Sequence, residues 1–164
     1  MALVKGINSY VEAVEADTYF EDRLDAAAWA EASQEQKEQA LVTSTAVLDR
    51  MEWTGTVISE EQPLAWPRIG SYFDPRLGTE VILDDTVPKR IIDGTYEEAY
   101  HLLNNDGLLD DTGSVLNLQV STIVLEEITD VSDKSSVVDS IVKPLLAKYN
   151  PYGGGSGNAW WRAN

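Results

Sequence analysis

Carboxylates are abundant in this 164-residue chain, but their spacing does not suit acid–base catalysis. The pairs Glu60-Glu61, Asp84-Asp85, Glu97-Glu98, Asp110-Asp111 and Glu126-Glu127 are each adjacent in sequence. Neighbours on a helix or a strand do not face one another, so none of these pairs is a natural acid/base dyad. His101 is the only histidine and there is no cysteine. A Ser–His–carboxylate site lacks its Gly-x-Ser-x-Gly turn, and no phosphate-cradling glycine loop leads into Lys-Ser or Lys-Thr. Between Asn104 and Gly113 a calcium loop can be aligned on Gly107, but Leu102 and Gly113 then occupy the first and last ligand positions, where oxygen ligands are required. The expectation is a protein with no catalytic residues, no metal and no cofactor.

The aromatic residues are better placed, for contact rather than for reaction. Trp53, Trp66, Tyr72 and Phe73 fall in a stretch rich in proline and glycine, residues 52 to 87. Neither helical nor strand periodicity persists there, and this stretch reads as a long, ordered, wrapping loop. Pro67 forces Trp66 into extended geometry. Trp66, Pro67 and Arg68, with Trp53, Tyr72 and Phe73, are candidates for plugging the protein's own core or for a subunit interface, where Trp and Arg are typical anchors. Near the other end, Tyr152 and a Gly153–Gly157 linker precede Trp160, Trp161 and Arg162. Two adjacent tryptophans beyond a flexible linker are expected to dock on another chain.

The elements that carry these residues read as mainly helical. Ser9 and Glu12 have capping-box spacing, followed by Tyr10, Ala13, Ala16, Phe20 and Leu24 at intervals of three and four. A short turn is expected around Ala26 to Ala30. Ser33 and Gln36 form a second box that opens a helix over 34–51, with Ala40, Leu41, Val47, Leu48 and Met51 on its apolar face. Pro88 suits the first turn of a third helix, which buries Ile91, Ile92, Thr95, Tyr96, Ala99, Leu102 and Leu103. Gly94 weakens that helix by about 1 kcal/mol relative to Ala. Residues 115 to 128 alternate at period two and predict one or two strands. Ser136 opens a last helix, kinked at Pro144. The expected architecture is a small helical bundle over residues 1–149, with a long ordered loop, a short β element and a flexible, extended C-terminal arm over 150–164.

Charge narrows the partners. Lys plus Arg number 12 against 28 Asp plus Glu, a net charge of −16. Nucleic-acid affinity comes mainly from cations that neutralise phosphates. The densest basic pair is Lys89-Arg90, and no basic stripe interleaved with aromatics appears. The acidity gives either a solvated surface or a negative wall along which DNA passes without sticking. No apolar run approaches membrane-spanning length, and Met1 to Lys5 lacks the apolar stretch of a signal peptide, so cytoplasmic folding is expected.

Four segments together resemble a family of phage proteins labelled DnaT-like single-stranded-DNA-binding protein. They are Asn8-Ser9-Tyr10-Val11 with Glu15-Ala16-Asp17 and Tyr19-Phe20; the helix from Ala40-Leu41 to Leu48-Asp49; Leu64-Ala65-Trp66-Pro67-Arg68; and Val87-Pro88 opening a helix that holds Ala99. The resemblance spans roughly residues 7 to 105, and the segment Leu64 to Arg68 is its most specific part. Members of this family typically lie among head and tail morphogenesis genes. The resemblance therefore implies a structural adaptor: a virion subunit at the head–tail junction, assembled in the host cytoplasm. Such a subunit would form a homo-oligomeric ring of about twelve copies. It would sit beneath a portal protein, above a downstream tail protein, with genomic DNA passing through an acidic channel. Tyr152, Trp160, Trp161 and Arg162 would dock on the portal. The alternative, from the family's label, is an accessory protein of replication that binds single-stranded DNA, which the −16 charge opposes.

Overall fold

The structure, a computed structural model, describes residues 2–104 and 136–147. Its elements are α1 (Ala13–Glu21), α2 (Ala27–Glu31), α3 (Gln34–Asp49), β1 (Thr56–Val57), β2 (Arg68–Asp74), β3 (Thr79–Leu83), α4 (Lys89–Asn104) and α5 (Ser136–Val142), followed by a 3₁₀ turn, Lys143–Leu145. The fold is mainly helical, as expected, and carries a small antiparallel sheet.

Helix α4 is the hub, packing against α2, α3 and α5, while α1 lies on α3. The α3 start is as read from the sequence: Ser33 Oγ accepts the Gln36 N–H at 3.3 Å, and the Gln36 side chain accepts the Ser33 N–H at 2.9 Å. Two orphan N–H groups are thereby satisfied at the helix entry. Leu41 and Leu48 of α3, Ile91 and Ala99 of α4, and Val138 and Val142 of α5 meet in the core, all with zero exposure. Each large aliphatic side chain buried this way contributes about 1.5–3 kcal/mol. Gly94 is there for contact rather than for helix propensity. A Cβ at that position would lie 2.9 Å from Val142 Cγ1, so the glycine permits the close approach of α4 and α5.

The first helix begins later than Ser9. Its N-cap is Glu12, whose N–H is accepted by Glu15 Oε2 at 2.8 Å. Ser9 is instead fully buried in the preceding turn, where its hydroxyl bonds the Val11 carbonyl at 2.8 Å. Because α1 stops at Glu21, Leu24 is fully exposed rather than part of a buried stripe. The reading of 52–87 as a loop also needs correction, because this stretch holds the three-stranded sheet in the order β1-β2-β3. The β2–β3 register runs from Gly70 opposite Leu83 to Asp74 opposite Thr79. The sheet escapes sequence reading because polar and apolar residues mix on both of its faces. Ile69 and Ser71 share one face with Ile82, and Arg68, Gly70, Tyr72 and Asp74 share the other. The β2–β3 turn closes with the Gly78 N–H on the Asp74 carbonyl at 2.8 Å, with Gly78 at φ +70°. At Pro144 the last helix does not merely kink but passes into the 3₁₀ turn. The strand reading over 115–128 and the arm over 150–164 fall outside the described residues.

Candidate nucleic-acid interface

Most described cations are neutralised where they stand. Lys5 pairs with Glu15, and Arg23 with Glu97. Lys37 meets Asp17 at 2.7 Å and stands 5.3 Å from the centre of the Trp29 ring. The sequence's densest basic pair is consumed in the same way: Lys89 bonds Asp93 at 2.8 Å and Arg90 bonds Asp74 at 2.9 Å. Asp74 is 1% exposed and also accepts the Arg76 N–H at 2.9 Å. Burial opposes its charge, but that N–H and the Arg90 and Arg76 guanidinium groups outweigh it, and they hold the carboxyl below the usual range.

Three cations have no carboxylate within ion-pair distance among the described residues: Arg50, Arg68 and Lys143. The segments that carry them meet at one backbone junction. Arg50 is the C-cap of α3, and the chain leaves the helix there toward the bridge residue Trp53 and a bend at Thr54. This segment pairs with the end of the 3₁₀ turn. The Thr54 N–H donates to the Leu145 carbonyl at 2.9 Å, the Ala147 N–H donates to the Glu52 carbonyl at 3.0 Å, and Trp53 bridges Leu146. Lys143 opens that turn and is exposed. Arg68, at the start of β2, reaches the same segment. Its Nε donates to the Thr54 carbonyl at 2.8 Å, Nη2 to Gly55 at 2.7 Å and Nη1 to Ala65 at 3.3 Å. Carbonyl acceptors leave the charge of the guanidinium uncancelled. Glu52, exposed between Arg50 and Trp53, supplies an opposing charge at the same junction.

Beneath this corner lie Trp53 and Trp66, 6% and 2% exposed, edge to face with ring centroids 5.7 Å apart. Trp53 Nε1 donates to the Leu48 carbonyl at 3.1 Å, while Trp66 Nε1 finds no hydrogen-bond partner among the described residues. The Trp66–Pro67 peptide is cis. The loop that carries Trp66 is tied to α3 by Asp49. That carboxylate accepts the Tyr10 hydroxyl and the Ala65 N–H, and burial holds its pKa above the usual carboxylate value. Tyr72 and Phe73 are half-buried on opposite faces of β2.

The sequence-derived contact residues thus divide. Trp53, Trp66, Pro67 and Arg68 lie at or beside one junction, with the two tryptophans buried, while Tyr72 bonds Asp74 further along β2 and Phe73 is on the other face of that strand. Tyr152, Trp160, Trp161 and Arg162 lie outside the described residues. Sequence reading overlooked Arg50 and Lys143, because nothing local marks either one. They become notable only once the carboxylate partners of the other cations are known.

One protein family matches residues 2–163, nearly the whole chain: the family described as DnaT-like ssDNA binding protein. The chain belongs to this family. The match extends well beyond the segments that carried the resemblance in sequence. No curated protein and no solved structure matches the chain. Membership in this family overturns the expectation of a virion connector subunit. Its description names single-stranded DNA, not a portal protein, a tail protein or a dodecameric ring. The −16 charge had weighed against DNA binding, but total charge says nothing of where unpaired cations gather. Among the described residues no helix is long and apolar enough to cross a membrane, and no group of histidines and carboxylates is arranged to hold a metal.

Proposed function

We propose that this protein binds single-stranded DNA, as an accessory of replication, through the phosphate backbone at the Arg50–Arg68–Lys143 junction. The observation that carries the reading is that the three segments bearing the carboxylate-free cations Arg50, Arg68 and Lys143 are joined by hydrogen bonds at one junction. The family description supports it independently. A net charge of −16 is compatible with such a site. At physiological salt, charges separated by more than about 8 Å are largely screened, so the local sign at the junction governs contact. Trp53 and Trp66 are too buried to act as stacking platforms. Contact through phosphates alone gives binding that is weak and indifferent to base sequence.

The test is fluorescence anisotropy of a labelled oligothymidylate over a salt series. About three phosphate contacts on a single strand give a slope of about −2 in log affinity against log salt. Arg50→Gln and Lys143→Gln should each weaken binding and flatten that slope by about 0.7. Glu52→Gln should strengthen binding. Affinity that is absent at low salt, or that both Gln variants leave unchanged, would overturn the reading.

A further inference from the structure

The opposite chemistry prevails at the other end of the chain. Residues 2–38 carry nine carboxylates and three cations, Lys5, Arg23 and Lys37. All three cations are already held by acids. Between the N-terminal segment and the first turns of α1 and α3 runs an open groove of about 430 Å³. Leu3, Val4, Ala13 and Val14 give it an apolar lining, beside Gln34, Glu12, Glu38 and Lys5, whose charge is taken up by Glu15. That volume lies within the range, about 300–1,000 Å³, of sites that seat a small ligand. Val4 is 45% exposed and Val14 70%. Helix α1 does not need Val14 for its own packing, because it buries Ala13, Ala16 and Phe20 on its inner face.

We infer that this groove docks a basic segment of a partner protein, with apolar side chains set between its lysines or arginines. Charge complementarity selects the occupant. An acid-lined groove in a region with no uncommitted cation repels a nucleic acid, and it repels a second copy of a chain with a charge of −16. The apolar lining adds what a purely ionic encounter lacks, since covering Val4 and Val14 removes hydrocarbon from water. The inference does not depend on DNA binding, which uses a different set of residues.

The test is an NMR titration of the isotope-labelled full chain with a short synthetic peptide that alternates lysine with leucine. A lysine–serine peptide and a glutamate–leucine peptide are the controls. Shifts should cluster on residues 3–5, 12–14 and 38, with the lysine–leucine peptide binding at least about tenfold more tightly than either control. Val14→Asp, at an exposed position, and Glu38→Lys should each weaken that binding by about tenfold. Circular dichroism melting should remain as in the unaltered chain, and oligothymidylate affinity should not fall. Three outcomes would overturn the inference. One is shifts scattered over the acidic surface with equal affinity for the lysine–serine peptide. Another is no binding of the lysine–leucine peptide. The third is self-association abolished by Val14→Asp, which would make the occupant a second copy. Loss of DNA binding with peptide binding intact would sink only the function proposed above.

Discussion

The Arg68 guanidinium donates to the Thr54 carbonyl at 2.8 Å, and the N–H of the same Thr54 donates to the Leu145 carbonyl at 2.9 Å. Arg68 thereby ties the start of β2 to the segment that carries Trp53, and its planar fork spans the carbonyls of Thr54, Gly55 and Ala65. Lysine carries the same charge on a single ammonium and cannot span all three. Arg68→Lys should therefore cost about 1.5–3 kcal/mol in urea unfolding followed by tryptophan fluorescence. Unchanged stability would mean that the charge matters at this position and the fork does not.

Gly94→Ala should destabilise the protein although it improves helix propensity. The propensity gain is about 1 kcal/mol. Against it, the new Cβ would lie 2.9 Å from a Val142 methyl, and valine in a helix has little rotamer freedom to yield. Overpacking of this kind costs about 1–3 kcal/mol. A lowered thermal midpoint is the expected result, and a raised one would show that α5 can shift away from α4.

The paired tryptophans should respond differently to removal of their indole N–H. Trp53 Nε1 donates to the Leu48 carbonyl, whereas Trp66 Nε1 has no partner among the described residues. Trp53→Phe loses both volume and a hydrogen bond, the bond worth about 0.5–1.5 kcal/mol. Trp66→Phe loses volume but also relieves an unsatisfied donor, so it should be the milder substitution in denaturant unfolding. Trp66→Ala should still cost about 3–5 kcal/mol, as for other buried aromatics. Equal costs for the two Phe variants would show that the Trp66 donor is satisfied in solution.

Asp74 should govern part of the acid limb of stability. Its carboxyl titrates below the ordinary value of 3.8, because the N–H and guanidinium donors around it outweigh burial. A depressed folded-state pKa gives stability that is present above the unfolded value and lost as pH falls through the folded one. Asp74→Asn should cost about 3–5 kcal/mol at neutral pH, where it leaves Arg90 without its carboxylate. It should also flatten the fall in stability below about pH 4. Asp49 has the opposite sign. Burial raises its pKa, so its contribution is present below the ordinary value and is lost as pH rises through the raised one. Asp49→Asn should leave the acid fall in place. An unchanged acid limb in Asp74→Asn would assign that limb to other carboxylates.

By itself the sequence determined the helices whose signals are local. The Ser33–Gln36 box set the start of α3, Pro88 marked the start of α4, and apolar spacing from Ile91 to Leu102 found the buried face of α4. Those signals work because capping and helical periodicity act within one or two turns of chain. The motif from Leu64 to Arg68 was legible too, and it pointed to the right family. Tertiary structure decided the rest. The sheet over residues 56 to 83 depends on pairing between strands that individually lack a clean alternation. At Gly55, a Cβ would fall 2.4 Å from the Ile69 carbonyl oxygen, a requirement visible only where the two backbones cross. The proposed interface was hidden for the same reason. A residue list gives each cation's charge, but only folding determines which cations meet a carboxylate. Lys89 and Arg90, adjacent and prominent in sequence, are neutralised by Asp93 and Asp74. Arg50 and Lys143, far apart in sequence, reach the same junction because the segment through Trp53 pairs with the turn through Leu145.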